Sequence, residues 1–348
     1  MKKSGLLKKI LTAGIFAGIA IGVFVGCTKK DSGNKTETPV NENGYKELRI
    51  VAGGDSDGVI LEIGNLAVKN GYLEEELNKV GFTAKIIPIS GAGPVMNESL
   101  AAGEADAAVY GDFPGFVSKS NGLDTTLVAE TNQKVQFGIL TNSDKIKEPS
   151  DLEGKKVAVI QGSASAYFWE QYVKENKLDA SKIEIVNTQD AASLLATNQI
   201  DAYVINIYVA KYMEEKGIGK IFDDSGSLSS HMPTHVFAVR TSLLKENPEL
   251  GTAINKALIR AYQAATENPD SFYESVTRGD YTTEIMKSEY EFDPSLSYLT
   301  PEITKETQDF YDTLNEWMYD HSIITEKIDL DSYIDTSYYQ KAVKELAE

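Results

Sequence analysis

Two stretches, Leu100–Val109 ("LAAGEADAAV") and Leu195–Val204 ("LATNQIDAYV"), align without a gap and share leucine, alanine, aspartate, alanine and valine. Each reads as a helix end, a turn and a buried strand opened by an aspartate, Asp106 or Asp201. The copies stand too far apart for a solenoid repeat, whose period is about 20–50 residues. The echo therefore predicts two lobes of similar topology, each able to bury a core of its own in a chain of 348 residues.

Around the two copies, short apolar strands alternate with amphipathic helices from Leu48 onward. "LRIVAGG" (Leu48–Gly54), "TAKIIPI" (Thr83–Ile89) and "ADAAVYG" (Ala105–Gly111) read as strands. Helical patterns cover Val59–Asn70, "GYLEEELNKVG" closed by Gly81, and Val95–Ala102. A second series holds "VAVI" (Val157–Ile160), "KIEIVN" and "DAYVINIY". This alternation is the mark of α/β lobes with mainly parallel sheets. "THVFAVR" (Thr234–Arg240) reads as a return crossing. Helices then follow over Ser242–Thr266, Pro269–Val276, Pro301–His321 and the tail "SYYQKAVKEL", packing back on the first lobe. The expected divisions are a first part of lobe 1 over 46–136, lobe 2 over 137–233, and a return to lobe 1 with C-terminal helices over 234–348.

The start of the chain is of another kind. "MKKSGLLKK" is a basic region, Ile10–Val25 an apolar run, and Gly26 stands directly before Cys27. Residues 1–26 read as a lipoprotein signal, with Cys27 lipidated and residues 27–45 a polar tether. The position two before Gly26 departs from the usual pattern, with Phe24 where leucine is commonest. The expected location is extracytoplasmic, anchored to the membrane through lipid on Cys27. Since Cys27 is the chain's one cysteine, no intramolecular disulfide is available and stability rests on packing. Removing the signal takes away Lys2, Lys3, Lys8 and Lys9 and no acid, so the net charge goes from −18 to −22. That acidity argues against nucleic acid, which selects basic faces.

In open α/β sheets, ligands sit beyond the carboxyl ends of strands, where glycine-rich loops feed helix starts. Four such loops stand out: "GGDSDG" (Gly53–Gly58), "SGAGP" (Ser90–Pro94), "GDFP" (Gly111–Pro114) and "QGSAS" (Gln161–Ser165). Their backbone amides suit a small oxyanion. The candidates are Asp55, Ser56, Asp57, Gly91, Ala92, Gly93, Gly111, Asp112, Phe113, Gln161, Gly162, Ser163, Ala164 and Ser165. Asn206 and Tyr208 join them from the strand end in "AYVINIY", and Arg240 is the one arginine that the pattern brings near the cleft. A carboxylate among Asp55, Asp57 and Asp112 would meet a ligand ammonium group, with one of Asp55 and Asp57 serving the tight turn in "GDSDG" and the other the ligand. Ser163 or Ser165 could equally be a helix cap that touches no ligand. Tyr110, Phe113, Tyr167, Trp169 and Tyr208 could line an apolar wall, whereas Phe168 and Tyr172 face the core.

Enzyme chemistry finds little support. Gly162-Ser163-Ala164-Ser165-Ala166 has alanine where a nucleophile elbow needs serine. His231 and His235 are separated by Pro233, which breaks the helix that would align them as metal ligands. No cofactor and no metal are expected.

"NGYLEEELNKVGFTAKIIP", "LAAGEADAAVYGDFP", "IKEPSDLEGKKVAVIQGSAS", "KIEIVNTQDAASLLATNQIDAYVI" and "VFAVRTSLLKENPEL" together resemble the extracytoplasmic solute-binding proteins of ABC importers. The resemblance is to the branch that includes taurine and alkanesulfonate binders, and "YLTPE" adds to it. It implies a two-lobed, periplasmic-binding-protein-like fold of type II, a hinge, a small anionic or zwitterionic ligand in the cleft and a permease partner. A monomer is expected. With one arginine at most, amides and hydroxyls would favour a monoanion such as a sulfonate over phosphate. Nitrate, bicarbonate, a thiamine-pyrimidine precursor or an amino-acid-like zwitterion remain alternatives, as does the related thiamine-pyrimidine synthase-like enzyme or a ligand-sensing module for a receptor. Many relatives carry tryptophan, then aspartate or alanine, then proline after "AYVI"; here Asn206-Ile207-Tyr208 gives a more polar wall.

Overall fold

The computed structural model describes residues 39–53, 60–89 and 93–348. The signal, Cys27 and most of the tether lie outside the described residues, as do Asp55, Ser56, Asp57, Gly91 and Ala92.

Among the described residues, ten strands form two five-stranded sheets. The first holds β1 (Lys46–Gly53), β2 (Phe82–Ile89), β3 (Ala107–Gly111), β4 (Thr125–Asn132) and β10 (His235–Arg240), in the order β2-β1-β3-β10-β4. The second holds β5 (Phe137–Thr141), β6 (Lys156–Ala158), β7 (Glu184–Val186), β8 (Ala202–Asn206) and β9 (Lys220–Asp224), in the order β7-β6-β8-β5-β9. The two orders are the same pattern. Three parallel strands come first, a reversed strand is fourth, and a fifth runs with the first three. The reversed strands are β10 and β5, so each sheet is parallel but for the strand with which the chain crosses into it from the other.

The sequence echo has a structural basis. β3 and β8 occupy the third place in their sheets, next to the reversed strand. Asp106 and Asp201 open them in the same way. Each amide donates to a neighbouring-strand carbonyl, Arg49 or Lys156, at 2.8 Å. Each carboxylate accepts that same residue's amide, at 3.2 Å and 2.9 Å. An aspartate that satisfies the edge of two adjacent strands is a local requirement, which is why the pattern survives in both copies.

Both faces of both sheets are covered, as expected of parallel strands. Alternation along β1 sends Leu48, Ile50 and Ala52 to a core shared with the Leu250–Glu267 helix, while Val51 joins Phe116, Tyr311 and Leu314 on the other face. In the second sheet, Val157 and Val204 pack against Phe168 and Tyr172, and Ala158 and Tyr203 against Leu195 and Met213. Each fully buried Val, Leu or Ile side chain contributes about 1.5–3 kcal/mol.

Two helix boundaries differ from the sequence pattern. Ser242–Thr266 is two helices, Thr241–Glu246 and Leu250–Glu267, because Pro248 lacks an N–H and interrupts the ladder. The helix expected from Pro301 begins at Lys305, where the Thr304 hydroxyl accepts the Thr307 amide and caps it.

Candidate functional site

The parallel strands of both sheets end at the same region, and helix starts follow them. Gly111 is the N-cap of the Asp112–Ser120 helix, Ser163 of the Ala164–Glu175 helix and Asn206 of the Ile207–Glu215 helix; none of the three makes a side-chain cap. Of the first-turn amides, Asp112 and Ile207 donate to the Thr234 and Gln136 carbonyls and Phe113 to the Asp112 carboxylate, whereas the Ala164 and Ser165 amides have no partner among the described residues. Between the three helix starts lies a cavity of about 580 Å³ lined by the Gln161–Ser165 loop, Gly93, Gly111–Pro114, Asn206, Thr234 and His235.

Ser163 resolves one ambiguity of the sequence. Its hydroxyl donates to the Ile160 carbonyl at 2.6 Å and pairs with the Ser165 hydroxyl at 2.8 Å, so it fixes the loop rather than capping the helix. Gly162, at φ +73°, makes the turn that an L side chain would resist. Gly93 is needed for another reason: a Cβ there would stand 2.2 Å from Cβ of Pro114, so the two helix starts close on each other only with glycine.

Asp112 is almost wholly buried. One oxygen accepts the Phe113 amide at 2.8 Å, and the other accepts the Thr234 amide at 2.8 Å and hydroxyl at 3.3 Å. Burial pushes it up to about 7 against the pull of these donors. Its carboxylate holds the strand crossing in place. The crossing is tied further by Thr234 to Tyr311 at 2.7 Å and by Tyr311 to Glu130 at 2.5 Å.

A second cavity, of about 370 Å³, adjoins the first and shares Gly93, Gly111, Pro114, Asn206 and His235 with it. Its polar side chains include Glu62, Tyr208, His235, Arg278, Glu289 and Tyr290, beside Tyr110 and Asn206. Glu62 sits at φ 48°, ψ −122°, a backbone conformation that costs on the order of 1–3 kcal/mol. It is held there by Thr131, whose hydroxyl donates to it at 2.9 Å, and by His235 at 2.8 Å. Arg278 stands at the start of a tight turn to Tyr281, with Gly279 at φ +52°, and its guanidinium lies 5.4 Å from the Tyr208 ring centre. Burial opposes its charge, but Tyr208, Glu62 and Tyr290 more than offset this.

Several sequence expectations meet different outcomes. Gly93, Gly111, Asp112, Phe113, Gln161–Ser165 and Asn206 line the larger cavity, and Tyr208 lines the smaller. Arg240 does not reach either. It ends β10, whose other end, His235, is opposite Gly111, and it pairs with Asp106 at 2.9 Å on the far edge of the sheet. β10 runs against β3, so proximity to the crossing in sequence places Arg240 away from it in space. Arg278 is the arginine of the cleft. Trp169 is not in the wall either; it stacks on Tyr172 in the second sheet's core. Tyr167 instead meets Trp317 edge to face at 5.4 Å, and Phe113 meets the same indole at 5.7 Å. Glu62, His235, Arg278 and Glu289 carried no local motif, because the last three arrive only when the chain returns after β9.

Two similar α/β sheets with a ligand-sized cavity at their shared strand ends define a cleft-type binding architecture. A family model described as NMT1/THI5 like matches residues 66–272, and the chain belongs to that family. It is 27% identical over 181 residues to the taurine-binding periplasmic protein of Escherichia coli K12, covering 51% of this chain and 57% of that protein. It is 26% identical over 168 residues to an E. coli K12 protein provisionally named as aliphatic sulfonates-binding, covering 47% and 50%. The chain spans about half the length of the curated relatives it matches. Among solved structures, one provisionally named as the periplasmic sulfonate-binding protein of a sulfonate ABC transporter, from Methylobacillus flagellatus KT, superposes with a TM-score of 0.77. It has 24% identity and covers 87% of this chain and 96% of that one, a likeness of fold.

Proposed function

We propose that the chain is the extracytoplasmic ligand-binding component of an ABC-type importer. It captures a small organosulfonate between two lobes built on the two sheets, and hands it to a membrane permease. The observation that carries this reading is the pair of adjoining cavities at the strand ends, with a helix start on the rim of the larger whose Ala164 and Ser165 amides have no partner among the described residues. A sulfonate spreads one charge over three oxygens, each a weak acceptor that fits single amide donors. The names of the relatives support the same ligand class. The lobes are 46–136 with 234–348, and 137–233. The lipid anchor at Cys27 keeps the protein, as a monomer, beside its permease.

A thermal-shift and calorimetric screen of taurine, alkanesulfonates, nitrate, pyrimidines and amino acids tests the reading. Sulfonates are expected to raise the melting temperature, with Kd near micromolar, about −8 kcal/mol. A shift produced only by another class would overturn the ligand assignment. No catalysis is proposed for the cleft.

A further inference from the structure

The smaller cavity is more specialised than anion binding requires. Arg278 makes no ion pair among the described residues, yet lines this cavity with its guanidinium 5.4 Å from the Tyr208 ring centre. Glu289 lines the same cavity at 3% exposure. Its Oε1 accepts the Gln136 amide at 2.8 Å, and its Oε2, buried as well, has no partner among the described residues. Arg278 is near enough to oppose the rise in pKa that burial and Glu62 impose on Glu289. A ligand bearing only an anionic group would use Arg278 and bring no positive charge to the buried Glu289 carboxyl. A ligand with a donor group beside its anion would use both, and an ammonium is the donor that a buried carboxyl rewards most.

Building on the proposed sulfonate-binding function, we propose that this smaller cavity is a subsite for a zwitterion. The ligand's anionic group meets the Arg278 guanidinium and its ammonium meets Oε2 of Glu289. The helix-start amides of the adjoining larger cavity donate to the remaining oxygens of that same anionic group. The substrate class narrows to amino-substituted anions, with unsubstituted alkanesulfonates as poor ligands.

Calorimetric titration of the chain with two matched pairs tests this: taurine against ethanesulfonate, and β-alanine against propionate. Within each pair only the ammonium differs. The amino member is expected to bind roughly tenfold more tightly or better, as one charge-assisted hydrogen bond allows. Glu289→Gln should bring the members of a pair together, and Arg278→Gln should weaken both. The wild-type comparison stands whether or not Glu289→Gln folds. Equal binding within the pairs overturns the zwitterion subsite while leaving the sulfonate reading intact. Preference for β-alanine over propionate, with neither sulfonate bound, supports the subsite and overturns the sulfonate reading. Unchanged affinity in a folded Arg278→Gln variant, or no binding by any of the four, overturns the subsite.

Discussion

Asp112 and Thr234 hold each other in both directions: the Thr234 amide donates to the Asp112 carboxylate at 2.8 Å, and the Asp112 amide donates to the Thr234 carbonyl at 3.0 Å. A helix start on one side of the cleft is thereby fixed to the segment in which the chain re-enters the first sheet.

That tie is pH-dependent. Burial pushes Asp112 up to about 7 and Glu130 up to about 8. Unfolded, both ionise near ordinary carboxylate values, so in the interval between the two values the folded protein binds protons that the unfolded chain does not. The associated stability is complete below the unfolded values and is lost as pH rises through the folded ones. The melting temperature should therefore be higher near pH 5.5 than near pH 8, and Asp112→Asn should flatten the slope; scanning calorimetry at both pH values measures it.

Ala164→Pro isolates one cavity amide. Ala164 is the first residue of its helix, where proline is tolerated, and Ser163 before it is extended at φ −113°, ψ 169°, as a residue preceding proline prefers. Melting should be nearly unchanged while ligand affinity falls by roughly tenfold or more, the worth of one hydrogen bond to a charged group. Equal affinity would place this helix start outside the ligand's reach.

Gly93→Ala should affect stability and binding together. The added methyl meets Pro114 at 2.2 Å, and two helix starts must separate to admit it. Overpacking of this kind costs about 1–3 kcal/mol, readable by denaturant unfolding.

Trp317 should report ligand binding. It touches Phe113 at the larger cavity and Tyr167 on the Ala164–Glu175 helix, donates to Glu170 at 2.8 Å and stacks on His321 at 4.2 Å. The chain's other tryptophan, Trp169, is in the second sheet's core. A ligand that shifts these elements should change the emission of the wild type and of Trp169→Phe, but not of Trp317→Phe.

Local pattern and tertiary return divide what the sequence revealed from what it hid. The strand-opening aspartates and the glycine loops at strand ends act through their immediate neighbours, so "LAAGEADAAV", "QGSAS" and "GDFP" were legible before any fold was known. Phe168 and Tyr172 likewise follow helical spacing into the core. Arg240 and Arg278 could not be sorted locally. Whether an arginine after the crossing faces the cleft depends on the direction of β10, and a reversed strand looks like any other in one-dimensional pattern. Glu62 was hidden because its strained backbone exists only once Thr131 and His235 hold its carboxylate.

The two reversed strands also order the events of synthesis. β5–β9 are consecutive along the chain, so everything the second sheet needs has been made once residue 224 appears. The first sheet has a vacant fourth place between β3 and β4 until β10 emerges, after the whole of the second sheet. Its unpaired edges must therefore be kept from other partners for longer than those of the sheet made after it. The half that is begun first is the half that is closed last.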